Sequence, residues 1–475
     1  MMTRRASNPI VVLVCLAITG AMALLVLWQW ADTRSLVRAD PVIDEPADPS
    51  VALRTPVLSY RRTPSSLALS VNGPAFVSAL QPLLQIVGDD SCVVVAVDGT
   101  PVASVHPDKS VIPASNMKLF VGAVALDVLG ADHVFTTSVV GDVGAGGVVV
   151  GDLTLVGGGD PVLTTDWWPI SQVQTYPPTS TTRLEQLADA VVAAGVTRID
   201  GRIAGDGTRY DDVRYNPAWD ESLRGVEGGP IGALLVDDGW TTESPSDIAT
   251  DPALTAAATF TRMLGERGVV VAEEPVAAQA PVGAATVASV DSAPLGDIVG
   301  EMLRTSDDNT AEMLVKELAV DAGGVGTTDA GLSVITQRLA SWGVPMAGVS
   351  FVDGSGLART DQVTCAALVA VIEHEQIGGP VHTGLPVAAT SGTLTDEFVG
   401  SAVAGRLHAK TGSLAGVKSL SGWFPAGGTS TITFALVLNS DGIDQQGLWR
   451  PFWDALGDAL DTYPAHVSVS QLLPS

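Results

Sequence analysis

Ser115 stands three residues before Lys118 in the stretch Pro113-Ala114-Ser115-Asn116-Met117-Lys118. Positions three apart on a helix share a face, so the amine sits beside the hydroxyl and can take its proton, the shape of an activated nucleophile. The run that follows (Leu119, Phe120, Val121, Val124, Leu126, Val128, Leu129) is apolar on nearly every side. It predicts a helix buried through the middle of a domain, where lost hydration favours the neutral amine of a lysine over its ammonium. One such spacing arises by chance, but the chain has only five lysines, at 109, 118, 316, 410 and 418. Lys118 alone follows a serine at this distance, and Lys410 opens the triplet Lys410-Thr411-Gly412.

Two more groups bear on the same chemistry. Lys410-Thr411-Gly412-Ser413 falls at the end of a strand predicted over Arg406 to Thr411. Glycine leaves such an edge open to a ligand, and the lysine with two hydroxyls can hold a carboxylate; taken alone, the same residues read as a β-turn after a strand. Thr305-Ser306-Asp307-Asp308-Asn309-Thr310 lies between two helical patterns. It reads as a helix cap, with Glu312 near enough for a capping box, or as a third piece of a site. The six histidines (His106, His133, His374, His382, His408, His466) show neither H-E-x-x-H nor a partner pattern for Ser115, and are read as surface or core residues. Gly354-Ser355-Gly356 lacks the spacing of a nucleophile elbow, and Gly157-Gly158-Gly159 is read as a turn. No cysteine or histidine spacing suggests a metal, and no cofactor is expected.

These groups are far apart in sequence, so a shared scaffold must gather them. Cys92 to Val97, a turn at Asp98-Gly99, and Pro101 to Val105 predict a hairpin. Strands are predicted over Arg406 to Thr411, Val417 to Phe424 and Ser430 to Leu438, and helices over Pro74 to Val87, Leu295 to Leu303, Thr310 to Val320 and Leu448 to Leu460. The expected fold is α+β: one antiparallel sheet joining the two ends of the chain, with terminal helices on one face and central helices on the other. Between Ala131 and Pro294, short β-branched runs cut by glycine predict one or two inserted β-rich domains.

At 475 residues the chain exceeds one ordinary core, so two or three units are expected. Its 52 acidic and 25 basic residues give a net charge of −27, thinly spread, which excludes a nucleic-acid partner and favours solubility. Arg4 and Arg5 precede an apolar segment from Pro9 to Trp30, long enough to cross a bilayer with the N-terminus inside. Cleavage at Ala21-Met22-Ala23 is the competing reading; Leu24 to Trp30 continue the apolar run and favour an uncleaved anchor. The boundaries expected are 1–8 cytoplasmic, 9–30 membrane anchor, 31–72 linker, 73–135 and 291–465 main domain, 136–290 insertion and 466–475 tail. Cys15 lies in the anchor, and Cys92 and Cys365, in apolar surroundings, are expected as buried free thiols.

In order, S-x-x-K, S-x-N and K-T-G are the motifs of penicillin-binding proteins and serine β-lactamases. The sequence resembles in particular the low-molecular-mass penicillin-binding proteins that act as D-alanyl-D-alanine carboxypeptidases and endopeptidases and carry large insertions after the nucleophile. Further stretches look like that family: Gly151 to Leu163, Val352 to Thr360, Thr390 to Leu394 and His408 to Trp423. The resemblance implies a serine DD-peptidase that cleaves peptidoglycan stem peptides or D-amino-acid cross-links and is acylated by β-lactams. It makes Ser115 the nucleophile, Lys118 its base and Ser306 a proton relay. Lys410, Thr411 and Ser413, with Gly412 between them, become the carboxylate site, and the N–H groups of Ser115 and Ser413 the oxyanion hole. One position departs from the family: Asp308 stands where an asparagine contacts substrate and lysine, and a shift of one residue would let Asn309 serve. The rival readings are a weakly active homologue that binds cell wall or a protein partner, and a β-lactamase. Carboxypeptidase and endopeptidase stay undivided.

Overall fold

The computed structural model describes residues 18–30, 65–171, 174–241, 247–427 and 429–464. The chain divides into two units, Met1–Pro64 and Ser65–Ser475. Of the first, a helix over residues 18–30 is described. The rest of the expected anchor, the N-terminal segment 1–8, residues 31–64 of the expected linker and the tail 466–475 lie outside the described residues. No described helix is long and apolar enough to cross a membrane.

The second unit is built on a five-stranded antiparallel sheet. Its strands are β1 (Cys92–Val97), β2 (Thr100–Val105), β3 (His408–Leu414), β4 (Val417–Pro425) and β5 (Thr431–Asn439), in the order β3-β4-β5-β1-β2. Asp98 and Gly99, with φ of 48° and 76°, make the tight turn between β1 and β2. Side chains alternate across a strand, so β1 serves two cores at once. Val93, Val95 and Val97 pack with the terminal helices α1 (Ser65–Ile86) and α6 (Arg450–Asp461), through Phe76, Leu80 and Trp453. Cys92, Val94 and Ala96 pack with the central helices α2 (Met117–Leu129), α3 (Leu295–Thr305), α4 (Asp308–Asp321) and α5 (Cys365–His374). Each valine buried this way contributes roughly 1.5–3 kcal/mol over leaving it exposed. The expected sheet and its two helical layers are present.

Three details differ from expectation. Helix α1 begins at Ser65 rather than Pro74. Strand β3 runs to Leu414, not Thr411, because Gly416 at φ 73° allows a two-residue turn that pairs Leu414 with Val417. Lys410-Thr411-Gly412 therefore lies inside a strand. Cys92 and Cys365 form a disulfide rather than two free thiols: the fold sets their Cα atoms 5.9 Å apart across 273 residues and fastens β1 to the start of α5.

The insertion between α2 and α3 is mixed rather than simply β-rich. Its five-stranded sheet places Val276–Ala277, Ile203–Asp206 and Leu153–Val156 parallel, then Thr136–Val140 and Thr286–Asp291 antiparallel. Two helices pack on the insertion's strands, Leu184–Ala193 through Leu184, Leu187, Ala188 and Val191, and Pro252–Glu266 through Ala256, Phe260 and Met263. Parallel strands need crossover connections, which explains helices where only strands were expected.

Candidate active site

A 3-10 turn, Ala114–Asn116, opens α2 and puts Ser115 at the mouth of the buried helix. Ala114 holds φ at +48°, a left-handed conformation unusual for a residue with a Cβ. Three neighbours fix it. Asn116 Nδ2 donates to Ser421 Oγ (3.0 Å), and Ser419 Oγ donates to the Pro113 carbonyl (2.8 Å), which ties the turn to β4. Gly356 packs against the turn so closely that a Cβ would stand 2.0 Å from the Ala114 carbonyl oxygen.

Lys118, on the first turn of α2, is wholly buried. Its Nζ lies 3.1 Å from Ser115 Oγ, 2.5 Å from Asp308 Oδ1 and 2.7 Å from the Ser355 carbonyl oxygen. An ammonium satisfies all three with its three protons. A neutral amine has two N–H groups, which Asp308 and Ser355 can take, and that leaves its lone pair directed at the Ser115 hydroxyl. Burial pushes the Asp308 carboxyl up to about 6, against the pull of the Lys118 ammonium.

A second lysine and serine meet nearby. Lys410, also wholly buried, donates from Nζ to Ser306 Oγ (2.8 Å) and to the Thr411 carbonyl (2.9 Å). Burial, and then the Lys118 charge, hold its amine well below the ordinary lysine value, while Asp308 pulls the other way. Ser306 closes α3 in the left-handed region, φ 70° and ψ 38°, a strained position in the turn between α3 and α4. Thr411 Oγ1 donates to Thr393 Oγ1 (2.7 Å).

Ser115, Ser306, Asp308, Thr411, Gly412 and Ser413 line one cleft of about 610 Å³, with Lys118 and Lys410 beneath its floor. The insertion supplies Thr175, Tyr176, Leu223 and Glu227 to its wall. Asn309 is turned away: its Oδ1 accepts from the Gly229 N–H (2.8 Å), holding the insertion to α4, so Asp308 rather than Asn309 meets Lys118. The Gly412 edge is filled by the protein, since a Cβ would meet Ser419 Oγ at 2.2 Å and the Pro113 carbonyl at 2.9 Å. The helix cap is Asp307, which accepts from the Thr310 N–H (2.5 Å). Glu312 makes no capping box; it accepts from the N–H groups of Gly354 (2.9 Å) and Ser355 (2.8 Å). Burial, reinforced by Asp353, raises that carboxyl to about 8.

Glu312 and Ser355 were thus missed as supports of Lys118, as were Thr393 beside Thr411 and Lys418 beside Ser413. Ser355 acts through its backbone carbonyl, which leaves no side-chain signal, and Glu312 acts through a carboxylate that reaches the backbone of a distant loop rather than its own helix end. Lys418 had one, being one of five lysines and five residues from Ser413. Among the described residues no His, Cys, Asp and Glu cluster fits a metal ion. A hydroxyl with an amine beside it, and a second hydroxyl on a second lysine, suit acyl transfer to serine with proton relay.

The sequence pattern of the D-Ala-D-Ala carboxypeptidase 3 (S13) family matches residues 79–247 and 242–449. The chain is 31% identical over 404 residues to a D-alanyl-D-alanine carboxypeptidase of an Actinomadura species, covering 70% of this chain and 74% of that one. It is 32% identical over 347 residues to the carboxypeptidase DacB of Mycolicibacterium smegmatis, covering 70% and 72%. The crystal structure of penicillin binding protein 4 from Haemophilus influenzae superposes with a TM-score of 0.68 at 19% identity, covering 79% of this chain and 98% of that one, a likeness of fold.

Proposed function

This chain belongs to the D-Ala-D-Ala carboxypeptidase 3 (S13) family, and from that premise we propose how its residues perform the serine DD-peptidase reaction on peptidoglycan. Ser115 Oγ attacks the carbonyl of the penultimate D-alanine as Lys118 takes its proton, while Asp308 and the Ser355 carbonyl hold the amine's other protons. The N–H groups of Ser115 and Ser413 stabilise the oxyanion. Ser306 accepts from Lys410, so its own proton points away and passes to the leaving nitrogen, replaced by the proton that Lys118 took from Ser115. Lys410, Thr411 and Ser413 hold the terminal carboxylate, with Gly412 letting their strand lie against the nucleophile turn. Water then attacks the acyl-enzyme with the proton path reversed. β-Lactams acylate the same serine. Carboxypeptidase and endopeptidase share these steps and differ in the leaving group.

One observation carries the reading: Lys118 Nζ and Ser115 Oγ meet at 3.1 Å under the cleft that also holds Ser306, Asp308 and Thr411. Fluorescent penicillin is expected to label the full-length protein and not Ser115→Ala; a wild type left unlabelled at saturating dose would overturn it. The reading as a weakly active binding homologue is set aside, because relatives matched over 70% of the chain are carboxypeptidases. The extracytoplasmic substrate places the peptidase domain outside the membrane. With α1 beginning at Ser65, we assign that domain to 65–135 and 291–465, with 136–290 as an insertion, 9–30 as a single-pass anchor and 31–64 of the expected 31–72 as its tether. The support is the apolar run from Pro9 to Trp30 after Arg4 and Arg5. Carbonate washing is expected to leave the full chain in the membrane pellet and to release a chain lacking residues 1–30.

A further inference from the structure

Of the five lysines, Lys109 pairs with Asp90, Lys118 with Asp308 and Lys316 with Asp211. Lys410 and Lys418 make no ion pair among the described residues. In a chain with 52 acidic and 25 basic residues, two lysine amines left without a carboxylate partner are unusual, and both belong to the same two strands at the cleft. Such a pair leaves room for an anion that comes from outside.

Lys418 lies directly across from Ser413 in the β3–β4 register, so the two side chains share the face that lines the cleft. Its Nζ donates to Ser413 Oγ (2.7 Å) and stands 4.2 Å above the Trp449 ring and 5.4 Å above that of Trp453. The charges facing it are Glu397, Asp444 and Arg450. Both carboxylates are engaged elsewhere: Glu397 pairs with Arg450 (3.1 Å), and Asp444 accepts from the Gly416 N–H (2.7 Å). The aromatic rings hold the ammonium without neutralising it. An ammonium only donates, so Ser413 Oγ must accept, and its own proton is left for a partner on the open side.

We infer that Lys418 is a positioning residue for the substrate's terminal carboxylate: it fixes Ser413 as a donor into the cleft and brings a positive charge to the carboxylate's side of it. This rests on the proposed peptidase reaction and deepens it. Ser306 on Lys410 and Ser413 on Lys418 are then two hydroxyls oriented by the same device, one aimed at the leaving nitrogen and one at the carboxylate beside it.

The test uses two acyl-D-alanyl thioesters with one acyl half, one leaving as mercaptoacetate, which carries a carboxylate, and one as ethanethiol, which does not. Turnover is measured for the wild type, Lys418→Met, Lys418→Arg and Ser413→Ala, with penicillin labelling alongside. Lys418→Met is expected to lower kcat/KM for the mercaptoacetate ester about fivefold, chiefly through KM, because the pair is partly exposed. The ethanethiol ester should be unchanged, Lys418→Arg should restore the preference, and Ser413→Ala should cause a loss that Lys418→Met does not deepen. Using the ratio of the two esters cancels any misfolded fraction. A ratio unmoved by Lys418→Met in an enzyme that takes penicillin would overturn this inference alone. A wild type that takes no penicillin would overturn the proposed function and this inference together.

Discussion

Lys118 and Lys316 are both sealed from solvent, and each is paired with an aspartate, Asp308 and Asp211. They lie in different regions, Lys118 under the cleft and Lys316 in the seam where residues 209–213 of the insertion meet α4. Beside Lys316, Arg209 forms a two-pronged pair with Glu317, Nε to Oε1 and a terminal nitrogen to Oε2, each at 2.7 Å. A buried ammonium needs acceptors to offset its lost hydration. Those of Lys316 are the Asp211 carboxylate and, at 3.4 Å, the Val213 carbonyl, groups that have no proton to give. Lys118 has a carboxylate and a carbonyl too, but its third partner is the Ser115 hydroxyl. Burial and a carboxylate make an ion pair; the hydroxyl makes a base. Lys410 is the complementary case, with a hydroxyl and, among the described residues, no ion pair to a carboxylate.

The largest effect should come from breaking the first pair. Lys118→Met keeps the volume and removes the proton acceptor, and kcat/KM for a D-Ala-D-Ala peptide should fall roughly a thousandfold to ten-thousandfold. Steady-state release of D-alanine measures it, and a fall of less than tenfold would remove Lys118 from the base role. Lys410→Met should lose less, roughly a hundredfold, because Ser306 keeps its hydroxyl but not the donor that aims it.

Asp308 sharpens the comparison by pH. With a single proton between them, Lys118 can lend it to Asp308 and act as a base; with a second proton on Asp308, it cannot. Asp308 carries a raised value of about 6. As pH falls through that value the second proton binds and kcat/KM should fall with it. In Asp308→Asn the limb near pH 6 should vanish, and the rate at pH 8 should change by no more than about fivefold, because an asparagine amide can donate to the substrate as well as accept. A pH–rate profile with an unaltered limb would assign it to another group.

The sequence disclosed the sheet because β1 alternates cleanly between two apolar sets, and it disclosed the cleft residues because lysine is so scarce here. It did not disclose which of Asp308 and Asn309 meets Lys118. Neighbours on a helix point about 100° apart, so only the phase of α4, held by the Asp307 cap, decides between them. The disulfide was hidden because its half-cystines are joined only by packing of α5 on the sheet. The two helices of the insertion did leave traces, Leu184-Leu187-Ala188-Val191 at helical spacing and Asp251 before Pro252 as a cap. The β-branched runs on either side masked them.

The smallest effect on activity is expected at Lys316, and it decides whether the comparison holds. Lys316→Met leaves Asp211 without its partner, but the Asp211 side chain is 26% exposed and can turn to water. The loss should be about 2 kcal/mol, below the usual figure for halving a buried pair, and in a folded unit of this size the melting temperature should fall by roughly 2–3 °C. kcat/KM should stay within about threefold of wild type, since neither Lys316 nor Asp211 lines the cleft. Calorimetry and D-alanine release on one preparation separate the two quantities. Should Lys316→Met slow turnover as Lys118→Met does while still melting like the wild type, the neighbouring hydroxyl would not be what distinguishes the two lysines.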